Sequence, residues 1–590
     1  GGSSQDAKHV LDEFGQQVYK EVKNDAETYK GELEGKLSQV SVKSETVSSP
    51  NPCKLVEQYY KRVNADDPSG ERYPCKKLSG KMGENRFSDT LGGQCTREKI
   101  SGSTNTCGAC APYRRLHLCS HNLESIDTTS TTHDLLAEVC MAAKYEGESI
   151  TRYHPQHKRT NPDTKSQLCT VLARSFADIG DIVRGKDLFL GNTYESAQRK
   201  VLDEKLKEIF KNIRKNNYST LNDLSLEQVR EYWWALNRET VWKALTCDAG
   251  QNDKYFRQTC GSGEWTDNNC RCDGKNAHQV PTYFDYVPQY LRWFEEWAED
   301  FCRLRKRKLE DAIKKCREQD KEGKKLYCDL NRHDCVETIR GDHIFVEDED
   351  CKYCHFSCAH FVKWIDNQKL EFLKQKKKYK SEMQKYTNGE SRGGGIGAKR
   401  KKRGAGKSNY DGYESKFYKI LKKDYRDVKH FLEKLNEEGI CKKPPQVGNE
   451  KASPVKFNKE NLDKTFDHTT YCQACPWCGA QKKSNGGNGW EPKKEDCGKK
   501  KHYDPKNITK IPVLYPDTTK SDMVQKYKKF CASVRDTSNG ATGGGQIKKW
   551  ECHYEKTDKS NNCVQGTWEK FTGKETVKSY NVFFWDWVYH

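Results

Sequence analysis

The stretch that decides how this chain folds is Ala173-Arg-Ser-Phe-Ala-Asp-Ile-Gly-Asp-Ile-Val-Arg-Gly-Lys-Asp187. Phe176, Ile179 and Ile182 are interleaved with Arg174, Asp178, Asp181 and Arg184 on what reads as one helix. Buried charges must be paired. The stretch is therefore expected to be a core helix carrying an internal set of salt bridges.

Working outward, the pattern stays helical from about Thr151 to Tyr386. Leu202–Phe210 reads as an amphipathic helix. Leu226–Leu245 reads as another and holds Trp233, Trp234 and Trp242. Tyr290–Cys316 and Phe361–Tyr386 continue the style. Toward the start, Val10, Phe14, Val18 and Val22 recur every fourth residue and predict a helix within residues 5–40. Ser41 to Pro52 is a polar linker. From Cys53 to Cys140 the chain is rich in Gly and Cys, and mostly irregular chain tied by disulfides is expected. Residues 391–409 are Gly-rich and basic and read as a flexible linker. A last Cys-containing unit, from about Ser415 to Lys574, is expected to be helical. Tyr580–His590 is a dense aromatic run that reads as the first turns of a further domain.

Hydrophobic residues make up only 34% of the 590. Against disorder stand 30 Tyr, 21 Phe, 13 Trp and 27 Cys, which supply large buried areas and covalent staples. The cysteines are Cys53, Cys75, Cys95, Cys107, Cys110, Cys119 and Cys140 in the first stretch. Cys169, Cys247, Cys260, Cys270, Cys272, Cys302, Cys316, Cys328, Cys335, Cys351, Cys354 and Cys358 follow in the helical middle. Cys441, Cys472, Cys475, Cys478, Cys497, Cys531, Cys552 and Cys563 complete the set. All are disulfide candidates. Cys spread over most of a chain implies an oxidising, extracellular setting. The odd number leaves at least one over. No run approaches the roughly 20 apolar residues of a membrane span. Any anchor is expected outside these residues.

The net charge of +19 attracts polyanions. Outside the cell those are sulfated glycans and sialylated surfaces, and nucleic acid is disfavoured. A charge excess that only keeps a large protein soluble is the plain alternative. Candidate glycan-binding residues are Lys20 and Lys23 on the first helix, with Lys61, Arg62, Lys76, Lys77, Lys81, Arg97 and Lys99 in the Cys-rich stretch. Arg303, Arg305, Lys306, Arg307 and Lys308 form a second basic run, expected to be a solvated helix face.

Catalytic and cofactor patterns fail on context. Cys351-Lys-Tyr-Cys354 and Cys472-Gln-Ala-Cys475 have zinc-like spacing, but so many neighbouring Cys favour disulfides, and no metal or cofactor is expected. Gly406-Lys407-Ser408 lacks the Gly five residues earlier that a phosphate loop needs. Gly389-Glu-Ser-Arg-Gly393 lacks the preceding strand of a nucleophile elbow. Lys399–Arg403 resembles a nuclear signal, which a disulfide protein does not use. No enzyme is expected.

Several strings go beyond composition. Pro112-Tyr-Arg-Arg-Leu-His-Leu-Cys119, the Ala173–Asp187 stretch, Trp233–Cys247, Pro288–Trp297, and the Cys472–Gly479 element together resemble the Duffy-binding-like alpha domain of the Plasmodium falciparum erythrocyte membrane protein one family. The opening helix resembles that family's N-terminal segment, and Phe583–Val588 the start of its cysteine-rich interdomain region. The resemblance implies a mainly α, disulfide-rich fold of three subdomains, the first irregular or mixed and the others helical bundles. Its divisions are an N-terminal segment (1–52), subdomain 1 (53–150), subdomain 2 (151–390), the linker (391–409), subdomain 3 (410–575) and the following region (576–590). It implies display on the infected red-cell surface and adhesion to red-cell or endothelial receptors, including rosetting. Implied ligands are heparan sulfate-like glycans, blood-group sugars and complement receptor one, with antibodies as further partners. A second reading has this unit contact a host receptor protein, or act as spacer for a downstream binder.

Overall fold

The computed structural model describes residues 5–42, 45–46, 51–64, 72–75, 85–191, 193–318, 323, 325–387, 412–483, 490–494, 497, 503–514, 547–556, 559–573 and 575–589. The expected linker at 391–409 lies outside them.

Asp6 accepts a hydrogen bond from the His9 amide at 3.1 Å and starts α1 (Ala7–Glu27). Val10, Val18 and Val22 are buried along it, as their spacing predicts. Next comes α2 (Pro52–Val63), with proline in the first turn, where its missing amide costs nothing. A capping box between Thr131 and Asp134 opens α3 (Thr132–Thr160). Then come α4 (Leu168–Arg184), α5 (Thr193–Asn216) and α6 (Leu226–Leu245), the last opened by a Ser225–Gln228 box. The later helices are α7 (Gln289–Arg317), α8 (Cys351–Thr387), α9 (Gly412–Tyr425), α10 (Val428–Asn436) and α11 (Tyr580–Tyr589). Single-turn helices lie between some of them.

The chain forms two compact units. The first comprises residues 1–304, 369–443 and 455–462; the second comprises 305–368, 444–454 and 463–590.

In the first unit every residue of α4 is buried, with α3 and α6 packed against it. The helix ends at Gly185, whose left-handed φ of 73° costs glycine nothing because it has no Cβ. Its charges are paired, but mostly with other elements, which corrects the expectation of an internal set. Arg174 binds Glu295 at 2.9 Å and Glu299 at 2.6 Å, both on α7. Asp178 binds Arg114 at 2.7 Å and Arg292 at 3.0 Å. Asp181 binds Arg292 at 2.5 Å, and only its 3.1 Å pair with Arg184 is internal. A helix enclosed on all sides faces neighbours at every position, so partners arrive from them.

The other sequence strings meet the same network. Arg115 pairs with Asp187. Trp293 and Gln289 each donate to Asp178 at 3.1 Å. Trp234 donates to Asp285 at 2.9 Å, and Arg238 binds Asp285 at 2.7 Å. The stretch expected to be irregular is so between residues 85 and 131, apart from single turns, but it opens with α2 and closes inside α3. Leu55, Val56 and Tyr59 form the buried stripe that makes α2 a helix.

The second unit corrects the expectation of a helical last segment. Its strands β1 (Ile508–Leu514), β2 (Ile547–Tyr554), β3 (Asn561–Gln565) and β4 (Val577–Ser579) form one antiparallel sheet in chain order. Trp550 opposes Ile511, and Cys552 opposes Cys563. Phe345, Val564, Trp568, Phe571 and Val577 pack as one core cluster; Val513, Trp550, Cys552, Cys563 and Phe583 pack as another.

Twelve disulfides are present among the described residues. The first unit holds Cys53–Cys247, Cys75–Cys119, Cys95–Cys110, Cys169–Cys270, Cys260–Cys272 and Cys302–Cys441. The second holds Cys316–Cys354, Cys328–Cys351, Cys335–Cys475, Cys358–Cys472, Cys478–Cys497 and Cys552–Cys563. Both zinc-like motifs are thus divided among separate bridges. Cys107 and Cys140 are unpaired, and Cys531 lies outside the described residues. No described helix is long and apolar enough to cross a membrane.

Candidate functional site: a groove beside the first helix

Burial of Val18 and Val22 turns Lys20 and Lys23 outward, and residues three apart share a helix face. The two lysines line one wall of a groove of about 880 Å³ in the first unit. Tyr19 and Lys30 join them from the N-terminal segment, Leu236 and Glu239 come from α6, and His278, Gln279 and Tyr283 come from the loop before α7. Arg238 also lines the groove, 4.4 Å from the centre of the Tyr19 ring, but its charge is committed to Asp285. Burial raises the Tyr19 phenol, with the nearby Arg238 opposing it. Lys30 pairs with Glu27 at 3.2 Å and Glu34 at 3.7 Å. The Glu27 hydrogen bond, then the Glu34 charge, raise its pKa. Lys20 and Lys23 are exposed and have no ion-pair partner among the described residues. They can therefore offer their charge to an anion beside the tyrosine.

Of the remaining candidates, the described ones do not line this groove. Lys61 and Arg62 sit in the last turn of α2. Arg97 is exposed and paired with Glu98 at 2.9 Å, and Lys99 is half-buried beside it. Lys76, Lys77 and Lys81 lie outside the described residues. Lys30 was missed by sequence reading; a third lysine seven residues beyond Lys23 was the available signal.

The second basic run is corrected in part. Arg303 is buried and binds Asp300 at 2.6 Å and Asp89 at 3.1 Å. Arg305 is buried and donates to the Thr465 carbonyl at 2.9 Å and the Ser453 carbonyl at 3.0 Å; burial pushes it down to about 10. Both cations hold structure, because a helix half-enclosed in packing turns part of every basic run inward. Arg307 is exposed as expected.

Comparison with known proteins matches the chain to Duffy-binding-like domains. The family described as N-terminal segments of PfEMP1 matches residues 6–41, the Duffy binding domain 108–292, and the C-terminal subdomain of the Duffy-binding-like domain 296–470. The sheet at 508–579 lies beyond all three. The solved NTS-DBL1α domain of PfEMP1 from the Plasmodium falciparum varO strain is 34% identical, covering 81% of this chain and 97% of that one, with a TM-score of 0.59. The NTS-DBL1α and CIDRγ double domain from the same strain is 30% identical, covering 98% of this chain and 80% of that one, with a TM-score of 0.67. The Duffy receptor gamma form of Plasmodium knowlesi is 22% identical over 60% of this chain, which spans only 30% of that relative. The class is thus a Duffy-binding-like domain behind an N-terminal helical segment. Within that class, the chain belongs to the Plasmodium falciparum membrane protein 1 (PfEMP1) family, as its N-terminal segment with a Duffy-binding-like alpha domain.

Proposed function

We propose that this chain is a host-cell adhesion module of a variant surface antigen on infected red cells, and that it grips acidic glycans of the red-cell or endothelial surface in the groove beside α1. The observation that carries the reading is the pairing of Lys20 and Lys23, exposed and uncommitted to carboxylates, with the Tyr19 ring on one wall. Family membership supports the adhesive role and argues against an enzyme. Heparan sulfate-like chains reward several moderately spaced cations, each contributing on the order of 1 kcal/mol or less. Rosetting follows if the glycan is carried by uninfected red cells.

The test is heparin binding with a salt titration and a glycan array. Lys20→Ala with Lys23→Ala and Lys30→Ala is expected to weaken heparin about tenfold or more and to flatten the salt dependence. Lys61→Ala with Arg62→Ala serves as comparison and is expected to cost less. Intact binding in the triple variant sinks the placement. Neutral blood-group sugar binding that ignores salt would move recognition elsewhere.

One observation favours a second reading, contact with a host receptor protein. In the second unit, exposed Phe356 and Trp585 flank an apolar groove of about 440 Å³ lined also by Leu330, Ala359 and Val362. Aromatic side chains are enriched at protein interfaces. A receptor contact centred there is expected to tolerate salt and to be lost with Phe356→Ala.

A further inference from the structure

The first helix is held to the rest of the first unit by charge as well as by packing. Lys8 of α1 reaches Glu438, just past α10, and pairs with Asp6 at 3.0 Å. On α7, Glu295 and Glu299 share the Arg174 guanidinium at 2.9 and 2.6 Å. One oxygen from each of Glu295, Glu299 and Glu438 lies within 4.8 Å of the others. Four carboxyls, counting Asp6, thus face two permanent cations. His9 is engaged by Asp6 at 2.5 Å.

Glu438 is 1% exposed, and its second oxygen has no hydrogen-bond partner among the described residues. An anionic oxygen left buried and unpaired beside two other carboxylates is costly. A proton removes one negative charge and turns the orphan oxygen into a donor toward its neighbour. A metal ion is the other way to neutralise such a triad. Here an ammonium and a guanidinium already lie against the carboxylates.

We propose that α1 is fastened by a proton held within the carboxyl cluster of Glu438, Glu295 and Glu299, so that the grip on the N-terminal helix is tight in mild acid and loosens as pH rises to neutrality.

The facing groups fix the direction. They are Lys8 and Asp6 from α1, Arg174 from α4, Glu299 from α7, and His157 from α3 beside Glu299. Burial raises Glu295 to about 7, against the pull of Arg174 and Lys8. Burial also raises Glu438, against Lys8. Burial pushes Glu299 up too, but Arg174 and Lys8 prevail and hold it at about 2. His157 is pushed down to about 4 by burial, so it is neutral throughout the range that matters. A carboxyl raised above its ordinary 4.5 contributes stability that is full below that value and lost as pH rises through its folded value, here about 7. An opening of about 340 Å³ lined by Asp6, Lys8, His9 and Glu299 gives water access to the cluster.

Hydrogen exchange on the whole chain tests this, read on peptides covering α1 from about pH 5.5 to about pH 8.5 and corrected for intrinsic exchange. In the natural sequence, opening of α1 is expected to rise from about pH 5.5 to about pH 7 by up to about tenfold per pH unit and to level off above that. Glu438→Gln supplies a donor that does not titrate, and its corrected profile is expected to stay flat within about twofold over the same range. If that variant does not fold, Glu295→Gln takes its place. A flat profile in the natural sequence overturns the proposal, as does a variant profile equally steep. Protection of α1 by millimolar calcium, seen in the natural sequence and lost in Glu438→Gln, would assign a metal ion to the triad and overturn it as well.

Discussion

A carboxylate without access to water is stable only where partners surround it, and Asp178 is such a case. It accepts from Arg114, Arg292, Trp293 and Gln289, and it is fully buried. Burial works to raise its pKa, but Arg114 and Arg292 prevail and hold it at about 2. Asp178→Ala leaves two buried guanidinium groups short of a counter-charge. The expected loss is about 3–5 kcal/mol, read from the denaturant midpoint. A loss below about 1 kcal/mol would mean that water replaces the carboxylate. Sequence reading placed Arg174, Asp178, Asp181 and Arg184 in the core and required that they be paired. It did not reach the partners. Arg114 and Glu295 lie far along the chain, and only the packing of α4 against its neighbours brings them within bonding distance.

Elements differ in how openly they declare themselves. The aromatic and apolar spacing of Leu226–Leu245 is a helical signal, and α6 has those bounds. The sheet was missed although Ile547-Lys-Lys-Trp-Glu-Cys-His-Tyr554 places Trp550 and Cys552 on one face of β2. Short strands among polar residues carry a weak two-residue period, and their partners pair across long gaps. Packing between helices sets a sharper constraint. Gly147 of α3 faces the Leu245 carbonyl of α6 so closely that a Cβ would collide with backbone. Gly147→Ala is expected to cost about 1–3 kcal/mol, lowering the thermal midpoint by several degrees. Gly31→Ala meets nothing within 4 Å and is expected to leave the midpoint unchanged or slightly raised, so it serves as control. Equal midpoints in both variants would show that α3 and α6 can move apart freely.

At the scale of the molecule, composition set a question that the bridges answer. With 32% charged residues against 34% hydrophobic, a chain of this length is short of apolar surface to bury. Part of the core is instead charge network, as around Asp178, where pairing offsets burial but adds little net stability. Covalent closure must then carry weight. Cys53–Cys247 closes 194 residues, Cys335–Cys475 closes 140 and Cys302–Cys441 closes 139, spans that remove substantial entropy from the unfolded chain. Each native bridge removed from a domain typically costs about 2–5 kcal/mol, against a total stability of only about 5–15 kcal/mol. Both units hold bridges of this kind, so reduction should not spare either. The expected outcome is that a thiol reductant, at a temperature where the oxidised chain is folded, abolishes the cooperative transition in both the helical signal and the fluorescence of the 13 tryptophans. A reduced chain that melts cooperatively within a few degrees of the oxidised one would show that the charge network and the aromatic clusters suffice.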